Sequence, residues 1–314
     1  MKNILITGGT GSFGQAFTQR VLKNGIERIA IYSRGEHKQE EMARRFNNDP
    51  KLRFFIGDVR DKHRLGMAMR GVDTVIHAAA LKIIPTCEYN PYESVQTNVL
   101  GAQNVCQAAI EKGIERAILV STDKAASPLN CYGACKLVAE KIFVGSNYMS
   151  AGAPHFSVVR YGNVDGSNGS VMPLYKKLAL EGKRLPVTDP RMTRFSISME
   201  KAIDLVLACV AGCQLMPGTT WIPKLPSFRV TDLVAAVSDL EPVYIGIRPG
   251  EKLHETLITE EEARLTEDHG SYFVINGKYG KRLPEGFSYS SGTNNQWLTT
   301  VELKAICESA ANTA

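Results

Sequence analysis

The 314-residue sequence contains no C-x-x-C pair, and no histidine or third cysteine lies near its two i, i+4 cysteine pairs, Cys131 with Cys135 and Cys209 with Cys213. Seven cysteines is an odd number spread over a long chain, so neither a zinc ribbon nor a disulfide framework is expected. They read as small buried helix residues of a protein kept in the reducing cytoplasm, with no metal site. No run approaches eighteen apolar residues. The best candidate, residues 203–216, is broken by Gly212 and Gln214, so no membrane-spanning helix is expected. The opening Met-Lys-Asn-Ile-Leu-Ile-Thr-Gly-Gly lacks the apolar core and cleavage site of a signal peptide. Lys/Arg runs of the nucleic-acid type are missing too. The net charge of +5 is nevertheless uneven: the first 160 residues hold 21 basic against 14 acidic side chains, the rest 16 against 18. That excess suits a small phosphorylated ligand better than DNA or RNA. Repeats and low-complexity tracts are absent, and 44% hydrophobic with 22% charged residues describes an ordinary folded chain.

What is present is a rhythm. Short β-branched runs at 4–7, 28–33, 52–56, 74–78, 116–121 and 155–160 alternate with amphipathic stretches at 12–23, 36–46, 62–69, 92–112 and 130–149. This βαβ alternation predicts an α/β, Rossmann-type doubly wound parallel sheet with right-handed crossovers, ligands binding at the carboxyl ends of its strands. Beyond about Tyr161 the rhythm degrades into Gly/Pro-rich segments around helical patterns at 171–181, 199–211 and 231–238. The expected organisation is a dinucleotide-binding domain over residues 1–165 and a smaller, irregular substrate lobe over 166–314, interleaved with the sheet.

Gly8, Gly11 and Gly14 stand in G-x-x-G-x-x-G spacing where the first strand meets the first helix. Glycines there let the backbone turn tightly and approach a pyrophosphate, whose charge then sits on free N–H groups at the helix start. About twenty residues on, the second strand ends in Tyr32-Ser33-Arg34. An acid at that point would hold the 2′-hydroxyl of NAD; Ser33 and Arg34, with Lys38, suit the 2′-phosphate of NADP instead. Asp58 and Val59, after the third strand, are expected beside the adenine, although an Asp there can also cap the helix beginning near Lys62.

Ser121-Thr122-Asp123-Lys124 follows the fifth strand, and Tyr132-Gly-Ala-Cys-Lys136 opens the next helix. The i, i+4 spacing puts Tyr132 and Lys136 on one helix face, where an ammonium would lower the phenol pKa and ready it to take a hydroxyl proton.

These motifs resemble the extended short-chain dehydrogenase/reductase superfamily, and within it the inverting UDP-N-acetylglucosamine 4,6-dehydratases of pseudaminic-acid-type sugar pathways. The resemblance runs through His77-Ala-Ala-Ala-Leu-Lys82, Glu88-Tyr-Asn-Pro91, Thr97-Asn98, Ser121-Thr-Asp-Lys-Ala-Ala, Val159-Arg-Tyr-Gly-Asn-Val164, Arg191-Met-Thr-Arg194-Phe, Ile247-Arg248-Pro-Gly-Glu251-Lys-Leu-His-Glu and Asn294-Asn-Gln-Trp-Leu298. Thr-Asp-Lys is its most specific part, because the retaining dehydratases carry Glu where Lys124 stands. The resemblance implies cofactor contacts from Gly8, Thr10, Gly11, Ser12, Phe13, Gly14, Ser33, Arg34, Lys38, Asp58, Val59, Ala78, Ala79, Ala80, Lys82, Asn98, Tyr132 and Lys136. It implies substrate contacts from Lys82, Asn163, Arg194, Arg248 and Glu251, and catalysis by Thr122, Asp123, Lys124, Tyr132 and Lys136. Arginines at 194 and 248 suit a diphosphate, and Glu251 suits ribose hydroxyls. Departures fall at Asp165, where the family usually has Val, at Asn168, where it has Arg, and at Cys131 and Cys135, where it has larger or β-branched residues.

The resulting expectation is an NADP-dependent lyase acting on UDP-N-acetylglucosamine, a homo-oligomer (dimer or hexamer) like its relatives. Tyr132 would take the C4 hydroxyl proton, Lys124 the C5 proton, and Asp123 would protonate the departing C6 hydroxyl. The neighbouring Lys136 and the nicotinamide cation would keep Lys124 neutral. The rivals are a UDP-sugar 4-epimerase, a retaining nucleotide-sugar dehydratase and, more distantly, a noncatalytic NADP-binding sensor.

Overall fold

The computed structural model describes residues 1–167 and 169–309. Its frame is six parallel strands: β1 (Asn3–Thr7), β2 (Arg28–Ser33), β3 (Leu52–Ile56), β4 (Thr74–His77), β5 (Arg116–Thr122) and β6 (His155–Tyr161). They lie in the order β3-β2-β1-β4-β5-β6, which reverses direction between β1 and β4 and opens a crevice above their carboxyl ends. Each strand falls within about a residue of its expected span. Because helices cover both faces, the strands alternate between two cores rather than between core and water. Leu5, Ala30, Val75, Ala117 and Leu119 face Leu65, Val105 and Phe143 on one side. Ile4, Ile6, Ile29, Ile31 and Ile118 face Phe17, Val21 and Val206 on the other.

The helices between these strands are α1 (Ser12–Leu22), α2 (Glu36–Arg45), α3 (Lys62–Ala68), α4 (Ile84–Tyr89), α5 (Pro91–Ser94), α6 (Gly101–Glu111) and α7 (Cys131–Ser146). The stretch 92–112, expected as one regular helix, begins as α5, widens into a π-helical turn over Val95–Leu100 and resumes as α6. The widened turn has a consequence for the site. It carries Asn98, whose amide donates to the Leu81 carbonyl and accepts from the Leu81 N–H, both at 2.8 Å, clamping the loop after β4.

Past residue 165 the chain divides its residues between sheet and lobe. After β7 (Asn163–Val164), α8 (Val171–Leu180), β8 (Pro186–Val187) and β9 (Thr193–Ile197), helix α9 (Met199–Gly212) packs back onto the sheet, and β10 (Thr220–Pro223) adds to β6 in parallel. Antiparallel strands at Tyr272–Ile275, Thr266–Asp268 and Lys281–Arg282 extend that edge, giving a ten-stranded sheet among the described residues. A separate small core gathers Met172, Leu185, Val187, Phe228, Leu233 and Leu303.

Candidate active site

The cofactor cradle follows from close backbone packing. A Cβ on Gly8, whose φ is +68°, would stand 2.9 Å from the Ala79 nitrogen; one on Gly14 would stand 2.6 Å from the Gly9 carbonyl carbon. Only glycine permits both approaches. Helix α1 has Gly11 at its N-cap with no side-chain cap, and a helix start of this kind suits an anionic ligand. Thr10, Ser12 and Phe13 lie in this turn, where Phe13 stacks on Phe17 and the Thr10 carbonyl accepts from Gln15. The loop carrying Ala78, Ala79 and Ala80 passes on the other side. Its Ala79 N–H donates to Thr7 Oγ1, which also bonds buried His77 at Nδ1 over 2.7 Å. A glycine cradle and an uncapped helix start are what a dinucleotide pyrophosphate needs.

At the end of β2 the Ser33 hydroxyl accepts from Gln39, and the half-exposed Arg34 guanidinium lies 3.8 Å from Asp58 Oδ2. Burial works to raise the Asp58 carboxyl, but hydrogen bonds from Arg60 and the charges of Arg60 and Arg34 hold it below its usual range. The cap of α3 is Asp61, which accepts from the Arg64 N–H, so Asp58 is not spent on capping. Val59 is a core residue packed against Gly101. Lys38 lies along Gly35 at the start of α2.

The chemistry-bearing residues converge where β5 ends. Asp123 is fully buried, and Thr122 Oγ1 donates to its Oδ1 over 3.0 Å. Lys124 Nζ stands 3.0 Å from the same oxygen. Tyr132 enters from the first turn of α7, also hydrogen-bonded to Thr122. That turn approaches so closely that a Cβ on Gly133 would press into the Lys124 carbonyl. Asn130 fixes the approach twice: its Oδ1 caps α7 by accepting from the Gly133 N–H, and its Nδ2 donates to the Gly250 carbonyl, each over 2.8 Å.

Two expectations about proton affinity change here. Lys136 was to lower the Tyr132 phenol. Instead its Nζ donates to the Val120 carbonyl over 2.7 Å, and burial brings the ammonium itself down to about 8. Burial pushes Tyr132 up to about 12, with Lys124 and the Thr122 hydrogen bond pulling the other way. Lys124 was to be neutral. Burial does oppose its charge, but Asp123 and Glu255 outweigh that and hold it above the usual lysine range.

Glu255 is the residue that sequence reasoning left without a role. It is 3% exposed, its Oε1 lies 3.3 Å from Lys124 Nζ, and the Arg194 guanidinium approaches the same oxygen at 3.8 Å. Arg194, expected at a diphosphate, is thus turned inward; its Nη1 donates to the Thr193 and Leu253 carbonyls. Arg248 and Glu251 lie together on an outer loop, 3.9 Å apart, tied to the tyrosine helix through Gly250. Lys82 follows the clamped Leu81, and burial lowers its ammonium. Asn163 sits in β7, paired with Ser196 of β9. Nearby Asp165 accepts from the Ser196 hydroxyl on both oxygens, and burial raises it to about 7. Asn168 lies outside the described residues. Among the described residues no cluster of His, Cys, Asp and Glu could hold a metal, and no helix is long and apolar enough to cross a membrane.

Residues 4–277 match the family model described as polysaccharide biosynthesis protein. The chain is 48% identical, over 97% of its own length and 97% of the relative's, to a Campylobacter jejuni protein named UDP-N-acetylglucosamine 4,6-dehydratase (inverting). It is 44% identical, over 91% of its length and 87% of the relative's, to a Rickettsia conorii protein named UDP-glucose 4-epimerase. Among solved structures it resembles Pen from Bacillus thuringiensis at TM-score 0.91 and 34% identity, covering 99% of this chain and 98% of that one.

Proposed function

The chain belongs to the polysaccharide biosynthesis protein family, and from that membership and its buried charge cluster we propose that it is a C5-inverting 4,6-dehydratase of UDP-N-acetylglucosamine. The observation that carries this reading is the pairing of fully buried Asp123 with partly exposed Lys124, 3.0 Å apart beside buried Tyr132. The 48% identical Campylobacter relative supports the same reaction. An epimerase, the activity named for the Rickettsia relative, needs a proton carrier and a hydride acceptor only at C4. It would have no use for a buried acid and base set further along the sugar.

A nicotinamide dinucleotide fits the glycine cradle and the uncapped start of α1, and we assign it as NADP because Arg34, not an acid, stands at the end of β2. When bound, the dinucleotide would supply the hydride acceptor for sugar C4 and the hydride donor for C6. Tyr132 takes the C4 hydroxyl proton, steadied by Thr122, and its high proton affinity makes the phenolate a strong base once formed. The C4 ketone acidifies the C5 hydrogen; Lys124 removes that proton and Asp123 gives one to the C6 hydroxyl, which departs as water. Burial favours the protonated form of Asp123, as an acid requires. Reprotonation at C5 from the opposite face then inverts that centre. Arg248 and Glu251 serve the nucleotide end.

Supplied with UDP-N-acetylglucosamine, the protein should yield a product lighter by one water while absorbance of the reduced nicotinamide stays flat. Stoichiometric release of reduced cofactor would mark an ordinary dehydrogenase and end this reading.

A further inference from the structure

Every acid and base in the mechanism above comes from residues 122–136, yet the structure brings a further carboxylate to them from far along the chain. Glu255 immediately precedes the strand Thr256–Ile258, and its N–H donates to Ser291 Oγ over 2.9 Å. The Ser291 hydroxyl is bonded in turn to Thr193 Oγ1 over 2.7 Å, and Thr193 Oγ1 to His254 Nδ1 over 2.8 Å. The backbone is therefore held and the side chain is aimed. One oxygen faces Lys124 at 3.3 Å; the other, Oε2, is buried with no hydrogen-bond partner among the described residues, and so is Asp123 Oδ2. An unpaired buried carboxylate oxygen is costly and calls for an explanation. Here the two carboxylates that carry them flank one lysine through their other oxygens.

The two carboxylates differ in their neighbours. Lys124, Arg194 and Lys252 all face Glu255, and although burial opposes its charge, these cations hold it below the usual carboxylate range. Asp123 has the Lys124 ammonium and the Thr122 hydroxyl on its Oδ1. Burial raises it, Lys124 lowers it, and the charge of Glu255 raises it again. Lys252 is itself lowered by burial, against the pull of Glu255 and Asp123, and donates to the Ala126 carbonyl. A pair of titratable groups whose surroundings push them apart marks a division of roles.

On the dehydratase reading, we propose that Glu255 is a positioning residue: a standing negative charge that holds Lys124 against Asp123, so that the proton Lys124 must lose passes to Asp123. The step balances. Lysine ammonium and aspartate carboxylate become neutral amine and carboxylic acid. The amine takes the C5 proton, the C5–H electron pair forms the C5–C6 double bond, the C6–O bond breaks, and the acid supplies the proton that completes water. Lys124 ends as ammonium and Asp123 as carboxylate, as they began, while Glu255 changes neither charge nor partner.

The test is Glu255→Gln, which keeps the shape and removes the charge, with Glu255→Asp restoring the charge. Both are assayed as the cofactor-loaded protein with UDP-N-acetylglucosamine in heavy water. Glu255→Gln should reduce bound cofactor in a single turnover within a few-fold of the parent rate, since Tyr132 governs that step. Its kcat and C5 deuterium entry should fall together by on the order of a hundredfold, the usual scale for an acid–base pair, with KM little changed. Loss of a neighbouring negative charge lowers the proton affinity of both Asp123 and Lys124, so the pH optimum should move to lower pH. Glu255→Asp should return the optimum to that of the parent and recover part of kcat. If Glu255→Gln does not fold, Glu255→Asp alone decides: a displaced optimum overturns the proposal. A parent-like pH profile and C5 exchange in Glu255→Gln overturns it, and so does an equal loss of cofactor reduction and elimination in both variants. A parent protein that incorporates no deuterium at C5 would instead remove the dehydratase reading on which this rests.

Discussion

Replacing Gly133 by alanine probes how tightly the tyrosine helix is seated on the Asp123–Lys124 loop. The added Cβ would press into the Lys124 carbonyl oxygen and stand 3.1 Å from both its carbonyl carbon and Pro128 Cβ. Non-bonded heavy atoms prefer about 3.5 Å or more, so helix or loop must retreat by roughly 1 Å. In an open helix Gly→Ala stabilises by about 1 kcal/mol, whereas overpacking a tight site costs about 1–3 kcal/mol. The net effect on stability is then between zero and about 2 kcal/mol of loss. The kinetic effect should be larger, because a displacement of about 1 Å at reacting groups costs on the order of a hundredfold. Gly145 supplies the control in the same helix, since a Cβ there meets nothing within 4 Å. Thermal melts and turnover of the two variants, side by side, give the answer. Gly145→Ala should melt higher and keep parent activity, while Gly133→Ala should melt no higher and lose most of its kcat. A Gly133→Ala protein as stable and active as Gly145→Ala would refute the close seating of Tyr132 on Lys124.

On the proposed NADP assignment, Arg34→Ala would remove a charge-assisted hydrogen bond worth about 1.5–3 kcal/mol, so NADP binding should weaken roughly ten- to a hundredfold while NAD binding barely changes; titration calorimetry showing equal losses would end the 2′-phosphate assignment. Acid sensitivity should report on His77, which burial, aided by the charge of Lys136, brings down to about 3 from 6.5. The unfolded chain binds this proton below pH 6.5 and the folded one does not, so the contribution is whole above 6.5 and is lost as pH falls toward 3, by at most about 1.4 kcal/mol per pH unit. Urea midpoints between pH 7 and 5 should fall more steeply for the parent than for His77→Gln, and matching slopes would contradict the buried neutral imidazole.

The parallel sheet was legible because strands buried on both faces, such as Ile4-Leu5-Ile6 and Ile29-Ala30-Ile31, are apolar throughout and are punctuated by glycine turns. Helix α4 was not: six residues, Ile-Pro-Thr-Cys-Glu-Tyr, are too few to show a period. The π-helical turn at Val95–Leu100 was hidden inside a pattern that reads as one helix, since the widening is set by packing at Gly101 and the Asn98 clamp. That Asp123, Lys124 and Tyr132 come together was legible because they stand in short spacing behind a strand. Glu255 escaped for the opposite reason. It closes the stretch Glu251-Lys-Leu-His-Glu255, more than a hundred residues beyond Lys124, and only the fold carries it there. That same omission led to a neutral Lys124, because the negative charges beside it were undercounted. The Tyr132–Lys136 spacing was visible, but the Val120 carbonyl that occupies the lysine was not.

Solvent-deuterium entry at C5 of recovered substrate and product separates the proposed role of Lys124 at the C5 proton from that of Tyr132 at the C4 hydride step. In heavy water with UDP-N-acetylglucosamine, the parent should carry deuterium at C5 of its product. Folded, cofactor-bound Lys124→Ala should reduce its cofactor in a single turnover yet neither exchange C5 nor lose water, with a defect on the order of 10²–10⁴ in rate, and Tyr132→Phe should block even the reduction. A folded Lys124→Ala protein that exchanges and dehydrates near the parent rate would remove Lys124 from the C5 step.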